Sequence, residues 1–318
     1  MDSDQSLAVR QGVARMPEET VAAGQPGLEE IVGCLEVLLE LSSVPEAYVR
    51  FRIDLLKGQW AVREALAAAP LGPTTSSRGS AVSAPTPVVG PGDVPFDAGP
   101  LRALFEAICA AAAAHGRRSG DLEALGAAVK ADPDLITGLA RGAAFGPDLP
   151  YLEALARQSG VAVDAVLFVG RALAAPFVAE AVRRVTPGTD GRARSSPLGG
   201  HCGMCGSPPS IARLRREDGK RLLTCGLCGT EWEFERLSCP WCNSRDSTAL
   251  TVLRTDEAEP RWIEACERCR GYVKTVDERR LPLGGVIIPV VEETATLHLD
   301  LLAEREGYIR RLPYVLSG

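Results

Sequence analysis

The sequence contains no uncharged apolar run near the ~20 residues that a membrane span requires, which argues against stable membrane insertion. Its opening, "MDSDQSLAVRQGVARMPEET", has no apolar h-region, so neither a secretory signal nor a basic transit peptide is visible and a cytoplasmic location is expected. No Ser/His/Asp set, phosphate-binding loop or dinucleotide fingerprint appears, and no enzyme activity is expected. Positive charge is not in excess either: the formal net charge is −6, which argues against a chain built to coat phosphate backbones. Aromatic residues amount to only 5%, yet Trp232, Phe234, Trp241, Trp262 and Tyr272 gather in one stretch. There they are expected to cover local sites and fill small cores, with any exposed member free to anchor a partner.

What the chain does have is length and thiols. At 318 residues it exceeds the ~250–300 at which single cores stop growing, so two or more domains are expected. Of ten cysteines, eight lie between Cys202 and Cys269, all in Cys-x-x-Cys pairs. Without an export signal, reduced thiols in pairs point to metal rather than to disulfides. Cys34 and Cys109 stand alone in apolar helical patterns and read as buried small hydrophobes.

From Gly27 to Ala69 the apolar residues recur at helical spacing. Ile31, Leu35, Leu38 and Leu39 form one stripe, and Phe51, Leu55, Leu56, Trp60 and Val62 another. Two helices joined at Ser42-Ser43-Val44-Pro45 are expected, with Pro45 in the first turn of the second. Residues 70–100 are dense in Pro, Gly, Ser and Thr and read as a long mobile loop. Ala-rich helical patterns then run from Leu101 to Val185, where small side chains permit close packing. The expected organisation is an α-helical domain over 1–185, a linker over 186–200, metal-binding modules over 201–237 and 238–280, and a C-terminal segment with a helix over 281–318.

Beyond Gly200 the pattern becomes β-type and repeats one plan: knuckle, strand, turn, strand, knuckle, strand. "IARLR" and "RLLTC" flank the turn "EDGK", and "TALTVLR" and "RWIEAC" flank "TDEAEP". The fold class is therefore multi-domain: an all-α N-terminal domain, two small β-rich metal-binding modules, and a C-terminal helix.

Two Cys-x-x-Cys knuckles supply the four thiolates that tetrahedral Zn²⁺ or mononuclear iron takes. Between successive pairs lie 19, 10 and 23 residues. Pairing consecutive knuckles leaves the hairpins as the intervening segments, which assigns Cys202, Cys205, Cys225 and Cys228 to one site and Cys239, Cys242, Cys266 and Cys269 to the other; interleaved pairing is the alternative. Gly206, Gly229 and Asn243 each follow a second cysteine, where a left-handed backbone turns N–H groups toward sulfur. Arg270 breaks this pattern, so a looser fourth knuckle is expected. His201, next to a ligand, reads as a surface residue, with a group supporting the ligands or an alternative ligand as the other readings, while His115 and His298 show no evident partner.

Three functions compete for such sites. The metals could simply staple modules too small to bury a core. A thioredoxin-like redox pair would need a helix N-terminus that these hairpins lack. A nucleic-acid ribbon would need a basic stripe, whereas residues 202–280 carry 14 Lys and Arg against 13 Asp and Glu.

The run "CGMCGSPP…LTCGLCGTEWEFERLSCPWCNS…EACERCRGYVKTVDE", followed by "ETATLHLDLLAEREGY", closely resembles FdhE, the formate dehydrogenase accessory (formation) protein family. The match is specific from His201 to Tyr308 and diffuse before it. The resemblance implies rubredoxin-like (zinc-ribbon-like) modules, with iron as a candidate metal beside zinc, and carries over only the eight knuckle cysteines. It implies a cytoplasmic maturation factor, not an enzyme, whose partner is the catalytic subunit of a formate dehydrogenase. A redox-active rubredoxin-like metalloprotein acting on that subunit, or a zinc-ribbon module for another partner, are the alternatives. Gly203 stands where a rubredoxin knuckle often has Pro, and the Pro-rich loop blurs alignment of the N-terminal helices.

Overall fold

The computed structural model describes residues 26–40, 44–69, 86–116, 119–186, 192–193, 196, 198–282 and 287–310. Residues 42–43 of the expected helix junction, 70–85 of the expected loop and most of 187–197 in the expected linker lie outside them.

Among the described residues, seven helices come first: α1 (Leu28–Val37), α2 (Glu46–Ala68), α3 (Ala98–His115), α4 (Ser119–Ala131), α5 (Leu135–Ala144), α6 (Leu149–Ser159) and α7 (Val163–Val185). Their ends follow local chemistry. The Asp97 carboxylate accepts from the Gly99 N–H at the start of α3 and Asp148 from the Tyr151 N–H in α6, satisfying amides that have no partner within the helix. Pro45 lies one residue outside α2, as its N-cap, rather than in the first turn.

The central helix is α7. It is long and apolar enough to cross a membrane, but 83% of its most apolar window is buried inside the protein, where it packs against α2, α5 and α6. It meets α5 tightly at Gly170, where a Cβ would come within 2.8 Å of the Leu139 carbonyl and 2.6 Å of the Ala143 Cβ. Small residues let these two backbones meet.

The chain then forms a seven-stranded mixed sheet from β1 (Arg192–Ala193), β2 (Pro209–Leu214), β3 (Arg221–Cys225), β4 (Glu231–Glu233), β5 (Leu250–Leu253), β6 (Arg261–Cys266) and β7 (Tyr272–Asp277), in the order β1-β4-β3-β2-β7-β6-β5. Each repeat supplies three antiparallel strands. The first strand of one repeat, β2, pairs in parallel with the last strand of the other, β7, from Ile211↔Lys274 to Leu214↔Asp277. The two metal-binding repeats thus share one continuous sheet.

Two further contacts join sheet and helices. Ala212, Leu223, Trp232 and the cysteines of the first repeat belong to the same buried core as α2 to α7. The tail folds as two helices, α8 (Pro289–Ala295) and α9 (Leu297–Arg305), where the sequence suggests one. Ile288 and Val291 pack with Ile31, Leu35 and Tyr48, while Leu299 and Ala303 cover Ile263 and Tyr272. A charge-assisted bidentate pair, Arg261 to Glu292 at 2.6 and 3.0 Å, fastens α8 to β6.

The segment from Thr86 to Pro100 corrects the mobile-loop reading. Val89, Val94 and Phe96 are buried in the helical core, and α3 already begins at Ala98. Three large apolar residues, inconspicuous in a Pro-rich run, contribute enough burial to order it.

Candidate metal centres

The four knuckles share one backbone design. In each, the first cysteine's N–H bonds the carbonyl five residues on, and its carbonyl accepts from the N–H four residues on. The pairs are Cys202 with Ser207 and Gly206, Cys225 with Thr230 and Gly229, Cys239 with Ser244 and Asn243, and Cys266 with Gly271 and Arg270, all between 2.8 and 3.2 Å. Closing that turn requires a positive φ at the corner. Gly206 and Gly229 adopt +74° and +76°, Asn243 and Arg270 +54° and +56°.

The fourth knuckle is therefore not looser than the others, and Arg270 takes the corner itself. Its guanidinium donates to Glu267 Oε2 at 2.5 Å, to the Glu306 carbonyl at 2.6 Å and to the Gly307 carbonyl at 3.3 Å. It also stacks on Tyr308, 3.9 Å from the ring centre. Apart from Glu267, these partners lie in the tail and offset the strain of a left-handed non-glycine residue.

This geometry gathers the thiols into two groups of four, Cys202, Cys205, Cys225 and Cys228, and Cys239, Cys242, Cys266 and Cys269, with all sulfurs of a group within 4.8 Å of one another. It is the consecutive grouping, not the interleaved one. The Cys202–Cys228, Cys205–Cys225 and Cys205–Cys228 sulfurs lie 3.7, 3.5 and 3.5 Å apart, and the Cys239–Cys269 and Cys242–Cys266 sulfurs 3.7 and 3.9 Å, near the ~3.8 Å edge of a tetrahedron whose metal–sulfur bonds are ~2.3 Å. Each group could hold one metal ion.

The surroundings favour charge on one sulfur of each group: hydrogen bonds among the thiols raise the pKa of Cys205 and Cys228, burial raises that of Cys239 and Cys269, and those of Cys225 and Cys242 are lowered. Burial opposes ionisation of Cys225, yet hydrogen bonds from the other three thiols of its group hold its pKa well below the ordinary thiol value. The Leu227 and Cys228 N–H groups also point at this sulfur, at 3.4 and 3.5 Å. In the second group burial likewise opposes ionisation of Cys242, but the Ser244 N–H and the neighbouring thiols bring its pKa below the usual value.

The groups differ in enclosure. Cys202 and Cys205 are fully buried and Cys225 nearly so. The Val88 N–H donates to the Gly203 carbonyl at 3.1 Å, the Val89 N–H to the Met204 carbonyl at 2.8 Å, and Ser207 Oγ to the Ala144 carbonyl at 3.3 Å. In the second group Cys239 and Cys266 are buried, Cys269 is half-buried and Cys242 is exposed.

Residues 201–236 match the family model described as FdhE, central domain, and residues 237–316 the one described as FdhE, C-terminal domain. Residues 201–316 belong to the FdhE family. Each of the two matched domains contains one complete four-thiol group. Among curated relatives, an FdhE homolog of Aquifex aeolicus is 33% identical over 113 residues, 35% of this chain and 39% of its own length. One of Stutzerimonas stutzeri is 38% identical over 120 residues, 36% of this chain and 37% of its own. The match thus spans well under half of these FdhE relatives. A crystal structure of the FdhE protein from Pseudomonas aeruginosa shares the fold across 92% of this chain and 97% of its own, with a TM-score of 0.58 at 23% identity.

Other candidate residues fall elsewhere. His201 is half-buried, lies outside both thiol groups, and has its pKa pulled down by burial. His115 has a partner that the sequence does not reveal, Asp54 Oδ2 at 2.9 Å. Cys34 and Cys109 are half-buried at core edges rather than fully buried. Of the five clustered aromatics, Trp232, Trp262 and Tyr272 are buried and Phe234 and Trp241 half-buried, so none stands out as a surface anchor. The supporting residues that sequence reasoning missed are Val88, Val89 and Tyr308, all remote along the chain from the knuckles they hold.

Proposed function

We propose that this chain is an FdhE-type accessory protein that binds the catalytic subunit of a formate dehydrogenase in the cytoplasm and supports formation of the active enzyme. The observation that carries this reading is the coincidence of the two FdhE domain matches with two complete four-thiol groups. Cys202, Cys205, Cys225 and Cys228 would hold one ion and Cys239, Cys242, Cys266 and Cys269 a second, zinc or iron. A bound ion supplies four metal–thiolate bonds that stabilise the knuckles, and iron adds a one-electron couple. The chain's own contribution is a rigid sheet that presents both centres on one body, with no turnover of formate by the chain itself.

The arginines on and beside the sheet do not favour a nucleic-acid reading. Arg213 pairs with Glu231 and Glu278, Arg215 with Asp218 and Glu233, Arg261 with Glu259 and Glu292, and Arg279 with Asp277. Such pairs leave few cations for phosphates.

Two measurements test the proposal. Anaerobically purified protein is expected to carry about two metal ions, one per Cys₄ group; iron gives thiolate charge-transfer colour and zinc none. An affinity-tagged catalytic subunit should retain the full-length chain from a mixture of purified proteins. A metal-loaded, folded chain that the subunit does not retain, or one that itself oxidises formate, would overturn the accessory reading.

A further inference from the structure

The two thiol groups share a knuckle design and one sheet, but they meet solvent differently. Around the first, the 86–90 segment bonds the first knuckle's own carbonyls through Val88 and Val89. Pro87 lies against the Gly206 corner closely enough that a Cβ there would meet its ring at 2.9 Å. Ser207 ties the same turn to the end of α5. The half-buried fourth sulfur, Cys228 Sγ, is engaged by Thr230 Oγ1 at 3.1 Å. The helical core covers the other three, Cys202, Cys205 and Cys225.

The second group is held by the sheet, by the turn before the first knuckle and by the tail. Trp241 Nε1 donates to the Tyr272 carbonyl at 3.1 Å, and Asn243 Oδ1 accepts from the Gly200 N–H at 3.1 Å. The tail holds the fourth knuckle through Arg270. Beside the Gly200 contact Cys242 is still the most exposed cysteine of the group, and Asn243 next to it is exposed as well. No other cysteine of either group is exposed.

We infer that the two centres are not equivalent: the first is a closed structural centre, and the second exchanges its metal ion with solution through the Cys242 corner. The exchanging species are divalent zinc or ferrous ions and small chelating or thiol ligands. As an external ligand takes a place on the ion, Cys242 detaches first. Each metal–thiolate bond broken is replaced by a bond from the ion to the external ligand, and no electron is transferred. The shell around a site sets ligand access to it, and the two shells differ here by a packed helical domain. The inference rests on the metal occupancy proposed above and not on the formate dehydrogenase partner.

The test uses the full-length chain loaded with zinc and challenged anaerobically with 4-(2-pyridylazo)resorcinol. Two equivalents should leave in two phases, one equivalent each, the faster by about tenfold or more. Cys242→Ser should remove the fast equivalent and spare the slow one, and Cys205→Ser the reverse. Iodoacetamide alkylation of the wild-type zinc protein, mapped by mass spectrometry, supplies an arm that needs no variant: Cys242 should be modified before Cys202, Cys205 or Cys225. Binding of two equivalents followed by release in one phase, or alkylation of the first group ahead of Cys242, overturns the inference. Binding of fewer than two equivalents before the chelator is added overturns the occupancy reading, and this inference with it.

Discussion

Arg270 stacks its guanidinium 3.9 Å from the centre of the Tyr308 ring while holding a φ of +56°. That contact links the corner of the last knuckle to the end of the described chain, where the Ile309 N–H also bonds the Arg270 carbonyl at 2.8 Å. The tail thereby becomes part of the second centre's support.

Two substitutions at Arg270 separate backbone strain from side-chain anchoring. Both Arg270→Gly and Arg270→Ala lose the contacts to Glu267, Glu306, Gly307 and Tyr308. Both must still hold a left-handed conformation, which glycine adopts freely and alanine only at a cost of about 1 kcal/mol. Alanine should therefore be the less stable variant in chemical denaturation of the zinc-loaded protein. Equal midpoints would show that the corner is not strained.

A second prediction concerns the helical core. Gly170→Val inserts bulk against the Leu139 carbonyl and Ala143 and should destabilise by about 1–3 kcal/mol through overpacking. Gly33 on α1 is exposed, and a methyl added there would meet nothing within 4 Å. Gly33→Ala should therefore stabilise by up to about 1 kcal/mol through helix propensity. Denaturation midpoints that fail to move in opposite directions would refute the close α5–α7 contact.

A third prediction concerns pH. Lys274 is buried on β7, its Nζ donating to Asp300 Oδ2 at 2.7 Å and to the Glu293 carbonyl at 2.9 Å. Burial pulls its pKa down from 10.5 to about 8, against the opposing pull of Asp300. Because the folded pKa lies below the unfolded one, the unfolded chain binds more protons between them. Stability should consequently rise as pH increases from about 8 toward 10, by roughly 3 kcal/mol at most. Urea midpoints of the zinc-loaded wild type and of Lys274→Met, compared across that range, isolate the effect. Slopes that coincide would remove Lys274 as its source.

The thiol groups are legible in the sequence because Cys-x-x-Cys pairing is local. The turn that aims two sulfurs at one point closes between a cysteine and the residue five places on, and Gly206, Gly229 and Asn243 announce its corner. The strands of both repeats and the Ala-rich helices are legible for the same reason, since periodicity and turn chemistry act over short spans. At Arg270 the sequence misleads, because the groups that stabilise its left-handed corner sit at Glu306 to Tyr308, at least 36 residues away in a tail that gives no local sign of them. The ordering of Val89, Val94 and Phe96 is hidden likewise, as isolated apolar residues in a Pro-rich run reveal nothing until α2 to α7 provide a core to receive them.

By itself, then, the sequence determined which thiols pair into knuckles, where the hairpins lie and how the small residues of the helices permit close approach, while the choice of consecutive over interleaved knuckles came from the sulfur positions. Tertiary structure alone decided that β2 and β7 merge two repeats into one sheet, since parallel pairing between strands this distant along the chain leaves no mark in either strand's own pattern. It also decided that Cys202, Cys205 and Cys225 lie in the helical core while Cys242 is exposed, because burial depends on which other parts of the chain pack over a site, and a knuckle carries no record of its neighbours.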